Sequence, residues 1–171
     1  MRPMLSVLLV LLALSWPAAP TKVTTIFVVR HAEKAVVADD PDPGLAPAGS
    51  TRAEDLARAL RSVGVSACFA SQYQRTRSTL APLAAALGLE VTVYQAGKEK
   101  DLAARLRADY AGKTVAVAGH SNTVPGLLRA LGVTDVPTLG EQDYDDLFVV
   151  EIAGEGPPRL LHLHYGAANP R

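Results

Sequence analysis

The stretch Thr24-Thr-Ile-Phe-Val-Val-Arg-His-Ala-Glu-Lys34 decides how the chain is read. An apolar, β-branched run of this length predicts a strand of a parallel sheet, buried on both faces by helices. The run ends abruptly on Arg30 and His31. In open parallel α/β sheets, ligands bind beyond the carboxyl ends of the strands. A guanidinium and an imidazole at that point mark a candidate site, although the same pair also suits the start of a solvated loop.

Working outward, the same grammar repeats. Val65 to Ala70 reads as a second buried strand and runs into Ser71-Gln-Tyr-Gln-Arg-Thr-Arg-Ser-Thr79. Glu90 to Tyr94 is a short third strand, and Thr114 to Ala118 a fourth that ends on Gly119-His-Ser-Asn122. Between them, apolar residues recur with helical spacing. After Pro47, which suits a first helical turn, come Ala53, Leu56, Ala57 and Leu60, with Arg52, Glu54, Asp55, Arg58 and Arg61 mostly outside. Leu80, Leu83, Ala84 and Leu87 stop at Gly88. Leu102, Ala103, Leu106 and Tyr110 stop at Gly112, and Val124, Leu127, Leu128 and Leu131 at Gly132.

The pattern then changes. Gly140 to Asp146 is an acidic loop, Leu147 to Ile152 a strand, Gly154 to Pro158 a turn, and Arg159 to Tyr165 an alternating, half-exposed edge strand. The expected fold is α/β, a mostly parallel sheet flanked by helices on both faces, with a C-terminal antiparallel hairpin. His162 and His164 share one face of the edge strand. With no third ligand nearby in sequence, they read as a solvated face and not as a metal site.

Composition bounds the rest. With 171 residues, 49% of them hydrophobic, the chain has material for one ordinary domain and a real core. Its formal net charge of zero leaves no electrostatic footprint for nucleic acid. Cys68 is the single cysteine, so an intramolecular disulfide and a cysteine-based metal cluster are both excluded. Met1 to Pro20 has a short basic start, an apolar stretch and a small-residue break. It reads as an export signal or, less simply, a short N-terminal anchor, giving a periplasmic or secreted protein; residues 21–171 form the single domain. The Asp-, Pro- and Gly-rich segment from Ala35 to Ala46 reads as a loop beside His31, either a mobile rim or a merely solvated one.

Three strand ends therefore carry polar residues: Arg30-His31, Ser71 through Arg75, and Gly119-His120. Parallel strands bring them to one edge. Two guanidiniums and two imidazoles without thiolates make an anion site, most naturally for a tetrahedral phosphoryl group. Neighbouring cations also lower an imidazole pKa, keeping one nitrogen unprotonated and nucleophilic near neutral pH.

Here the residues meet a known pattern. Val29-Arg-His-Ala-Glu-Lys34 resembles the Arg-His-Gly signature of the histidine phosphatase superfamily, which also contains the phosphoglycerate mutases. Leu45-Ala-Pro-Ala-Gly49 resembles its Leu-Thr-x-x-Gly segment, Ser71 to Thr79 its Ser-x-x-x-Arg-x-x-x-Thr segment, and Ala118-Gly-His-Ser-Asn122 its second-histidine motif. The resemblance implies that His31 is the nucleophile and becomes a phosphohistidine. Arg30, Arg75 and His120 would hold the phosphoryl oxygens, without metal or other cofactor. Arg77 falls outside the motif and reads as solvated or a rim contact.

Two departures stand out. Ala32 replaces the signature glycine, which requires backbone angles that suit an L-residue. The acid that protonates the leaving group is not fixed by a motif: Glu99 follows the Ser-x-x-x-Arg segment, Glu33 and Asp145 compete, and the place after the second histidine holds Ser121. The short interval between Arg75 and His120 leaves no room for the insertions of mutases and phytases. The expected site is open and shallow, that of a histidine acid-type phosphatase. Its substrate would be a small phosphomonoester or a phosphorylated protein, the former favoured by export. Two other readings compete. A non-catalytic phosphate-binding module would keep the arginine cradle. A serine esterase would use Ser121, Asp145 and His162, but it places Thr123 where its elbow wants glycine and leaves Arg30, His31 and Arg75 unexplained.

Overall fold

The computed structural model describes residues 22–154 and 156–169, so the segment read as an export signal lies outside the described residues. The quoted stretch forms β1 (Val23–Arg30). It sits inside a six-stranded sheet, parallel to β4 (Thr114–Gly119) on one side and antiparallel to β5 (Asp146–Ala153) on the other. β2 (Val65–Ser71) pairs parallel with β4, β3 (Val91–Tyr94) parallel with β2, and β6 (Arg159–His164) antiparallel with β5. The order β3-β2-β4-β1-β5-β6 gives four parallel strands and a C-terminal antiparallel pair, the architecture the periodicity predicts.

Strand alternation feeds two cores. Ile26 and Val28 point to one face, with Phe69, Val115, Val117 and Phe148; there they meet α3 (Glu99–Asp109) through Leu102 and Leu106, and α4 (Thr123–Ala130) through Leu127 and Leu128. Val29, Cys68, Ala70 and Ala116 point to the other, against α1 (Pro47–Leu60) through Leu56 and Leu60, and α2 (Gln74–Leu87) through Leu80 and Leu83. Each fully buried Leu or Phe stabilises the fold by about 1.5–3 kcal/mol. Cys68 is one of the buried hydrophobes, and burial pushes its thiol up to about 11. No helix among the described residues is long and apolar enough to cross a membrane.

Two expectations need correction. The helix predicted from Leu80 begins earlier, at Gln74, because Asp42 from the Ala35–Ala46 loop accepts the Gln74 backbone N–H at 2.9 Å and caps it. Arg75, Thr76 and Thr79 are therefore helical. Arg52, expected on the outer face of α1, is buried: it makes a bidentate pair with Glu33 at 2.8–3.0 Å and donates to the Tyr165 carbonyl at 3.1 Å. These bonds satisfy a guanidinium that periodicity alone would send to water.

Gly49 in the first turn of α1 lies against the Glu33 backbone, where a Cβ would overlap the Glu33 carbonyl oxygen. Its lack of a side chain lets α1 dock beside the segment that follows β1. Gly49→Ala should lower stability by about 1–3 kcal/mol through overpacking, read as a fall in the urea midpoint; an unchanged midpoint would contradict the close approach.

Candidate active site

The parallel pairing of β1, β2 and β4 sets their carboxyl ends along one edge. Arg30 stands opposite Gly119 in register, and the ladder continues one step further, the His31 N–H donating to the Gly119 carbonyl at 2.8 Å. The two histidines are thereby neighbours, with ring centroids 5.2 Å apart. At the end of β2, the Ser71 hydroxyl meets His120 Nε2 at 2.7 Å. The three polar strand ends converge on a cavity of about 270 Å³ lined by Arg30, His31, Tyr73, Arg75, His120 and Asn122 among others.

The first histidine is held in one tautomer. His31 Nδ1 lies 2.7 Å from the Ala32 carbonyl. A carbonyl only accepts, so Nδ1 carries the hydrogen and Nε2 is left with a free lone pair. Ala32 itself is fixed by its N–H donating to Thr79 Oγ1 at 2.9 Å. Its φ is not in the left-handed region, so the alanine in place of glycine is unstrained. Burial lowers the His31 pKa to about 3. The Ala32 hydrogen bond opposes that shift, and the charges of Arg30, His120 and Arg75 add to it. His120 is lowered to about 4 by burial, Arg75 and Arg30, against a smaller opposing effect of Asp42.

The arginines are held rigidly at one end and left open at another. Arg30 Nη1 donates to the Gly140 carbonyl at 2.7 Å and its guanidinium stacks on Tyr144 at 4.4 Å. Arg75 pairs with Asp42 at 3.5 Å and stacks on Tyr73 at 4.4 Å. The Nε–H groups of both are buried and have no acceptor. A buried donor without a partner is costly. An anion between the two guanidiniums and the two imidazoles would relieve that cost.

Residues 26–103 match the model of the histidine phosphatase superfamily (branch 1). Over those residues the chain is similar to the histidine phosphatase superfamily. Its fold is shared by solved structures. The protein histidine phosphatase SixA complexed with tungstate superposes with TM-score 0.69 at 20% identity, over 82% of this chain and 96% of that one. Mycobacterial glucosyl-3-phosphoglycerate phosphatase gives 0.66 at 17% identity, over 85% and 100%. A protein from Nakamurella multipartitia, described as a phosphohistidine phosphatase SixA, gives 0.60 at 23% identity, over 87% and 100%. No curated protein matches the chain in sequence.

The carboxylates considered as proton donors lie away from this cavity. Glu33 faces Arg52; burial raises its pKa, but the bonds to Arg52 outweigh that and leave it below the usual range. Glu99 accepts the Gly97 N–H at 2.7 Å at the start of α3. Asp145 accepts the Asn169 N–H at 3.2 Å. Of the described carboxylates, the cavity is lined only by Glu141, which is 89% exposed and 3.9 Å from Arg30. Arg77 is exposed. Ser121 lines the cavity, yet no hydrogen bond among the described residues joins it to Asp145 or His162, and His162 is engaged by Asp146 at 2.6 Å.

Tyr73, Tyr144, Asp42 and Glu141 were not singled out in the sequence. Tyr73 had a signal, an aromatic two residues before an arginine inside a quoted motif. The other three come from loops whose path no periodicity describes.

The lowered imidazole pKa values have a consequence for stability. In the unfolded chain both histidines take up protons below about 6.5, whereas folded His120 and His31 resist down to about 4 and about 3. The unfolded state then binds more protons, so stability falls as the pH drops from about 6.5. Urea midpoints measured from pH 7 to 4 should decline, and His31→Asn should flatten the decline; an equal slope in the variant would contradict it.

Proposed function

We propose that the protein is a metal-independent phosphatase acting through a phosphohistidine on His31. The observation that carries the reading is the bare Nε2 of His31, kept unprotonated beside two guanidiniums whose Nε–H groups lack acceptors. Nε2 attacks phosphorus, the P–N bond forms as the P–O bond to the leaving group breaks, and the displaced oxygen takes a proton from solvent in the open cavity. Water then attacks phosphorus opposite the P–N bond and gives up a proton to solvent, the P–N bond breaks, and Nε2 regains its lone pair as phosphate leaves. Arg30, Arg75 and His120 hold the phosphoryl oxygens throughout, with Ser71 fixing the His120 ring. The charge of the two guanidiniums takes the role that magnesium has in other phosphoryl-transfer enzymes.

The substrate class follows from the acid. Because Glu141 is the one described carboxylate at the cavity, and is exposed, the site favours leaving groups that depart without a buried donor. Phosphomonoesters of acidic alcohols and phenols fit, as does the P–N bond of a phosphohistidine. The open cavity also admits a side chain on a protein surface. A phosphomonoester is the reading that accords with an exported protein, and export itself remains part of the proposal.

Hydrolysis of p-nitrophenyl phosphate between pH 4 and 8, with EDTA present, tests the reading. Wild-type protein should release phosphate, and His31→Ala should be at least about 10³-fold slower. Arg75→Ala should lose about 10²–10³ in kcat, the magnitude expected for removing a preorganised donor. Equal rates in wild type and His31→Ala would overturn the mechanism. Binding of phosphate without turnover of any phosphoester would leave the non-catalytic module, and inactivation by phenylmethylsulfonyl fluoride would favour the esterase.

A further inference from the structure

The hairpin of β5 and β6 carries a side-chain cluster that the phosphatase reading does not use. His162 and His164, two apart on edge strand β6, turn to the same face with ring centroids 4.9 Å apart. The register sets Asp146, the first residue of β5, directly across from His164. The sequence offered no third ligand because Asp146 is remote in the chain; strand pairing supplies it. Asp146 Oδ1 lies 2.6 Å from His162 Nε2 and 3.6 Å from His164 Nδ1. One ligand atom from each of the three residues falls within 4.8 Å of the others.

We propose that His162, His164 and Asp146, with the neighbouring carboxylate of Asp145, form a binding site for a divalent transition-metal ion of the zinc type. Asp145 gives the second, independent observation. Its side chain is nine-tenths buried, and its Oδ1 has no hydrogen-bond partner although it lies 3.5 Å from His164 Nδ1. The opposite oxygen accepts the Asn169 N–H at 3.2 Å, which holds the carboxylate in place. This orphaned, buried oxygen stands beside His164, next to the three-residue cluster, and would supply a fourth donor once its carboxylate closes on the ion.

Geometry and donor chemistry agree. Nitrogen and oxygen ligands at about 2.0–2.1 Å from a tetrahedral ion stand roughly 3.3 Å apart. The Asp146–His162, Asp145–His164 and Asp146–His164 separations of 2.6, 3.5 and 3.6 Å fall around that value. Two imidazoles with carboxylates suit Zn²⁺, Co²⁺, Ni²⁺ or Cu²⁺, whereas Mg²⁺ and Ca²⁺ prefer oxygen alone. Phe148 packs on the His162 ring at 4.6 Å and limits its rotation. The two imidazoles are 39% and 63% exposed, so an ion can enter from solvent. A bound ion would clamp both strands of the hairpin to the end of the loop that carries Tyr144.

Co²⁺ titrated into untagged full-length protein, with Zn²⁺ as competitor, tests the site. The proposal predicts one equivalent bound with the visible absorption of four-coordinate Co²⁺, displaced by Zn²⁺ and not by Mg²⁺. The chain has four histidines, so two variants separate the possibilities. The double variant His162→Ala/His164→Ala should weaken binding at least about 100-fold, above the effect of losing a supporting contact. The double variant His31→Ala/His120→Ala should bind as the wild type does. Co²⁺ binding lost in the latter and kept in the former would overturn the proposal, as would absence of binding in the wild type. Because catalysis is assayed with EDTA present, failure of this site and failure of the phosphohistidine mechanism read out separately.

Discussion

A single backbone hydrogen bond, from the His31 N–H to the Gly119 carbonyl, closes the β1–β4 ladder at the carboxyl end of its strands. Everything at the site depends on that register. Because the strands run parallel, the residues immediately after each one are neighbours, and His31 and His120 meet despite their separation in the chain. A slip of one residue would turn Arg30 and His31 to the opposite faces of the sheet. The register is secured well away from the site, by Ile26, Val28 and Val29 filling two cores at once. The apolar half of β1 thus determines where its polar end lies.

The site combines two effects that would each be costly alone. Burial disfavours charge on the imidazoles, and the adjacent guanidiniums disfavour it further, so both rings remain neutral. Burial also strips the arginine Nε–H groups of partners, while Gly140, Asp42 and two tyrosine faces keep the guanidiniums in position. Under the proposed function, a dianionic phosphoryl group would suit both conditions: it would accept the orphaned donors and meet a nucleophile already free of its proton. Little rearrangement is then needed as charge shifts towards the transition state.

How far the sequence alone could reach follows from the kind of signal each part carries. Strands were legible as short continuous apolar runs and helices because their apolar residues repeat with a period of 3.6, their ends marked by Gly88, Gly112 and Gly132. Arg30, His31 and His120 were legible because each stands at or just past a strand end, and Arg75 because it lies in the polar segment that follows β2. Arg52 was misread, since its burial is set by Glu33 and by Tyr165, far along the chain. Tyr144 and Asp42 reach their arginines from loops without periodicity, and Asp146 becomes a neighbour of His164 only through strand pairing. None of Glu99, Glu33 and Asp145 lines the cavity: sequence proximity to a motif says little about which way a carboxylate faces.

The most direct test of the central claim is to trap the covalent intermediate. The protein would be mixed with a small phosphoramidate donor, quenched in base where phosphohistidine survives, and its peptides read by mass spectrometry. The account predicts one phosphoryl group on the peptide containing His31, transient in the wild type and longer-lived where the second step is slowed. A phosphoryl group on His120, or turnover with no phosphorylated histidine at any time point, would contradict it.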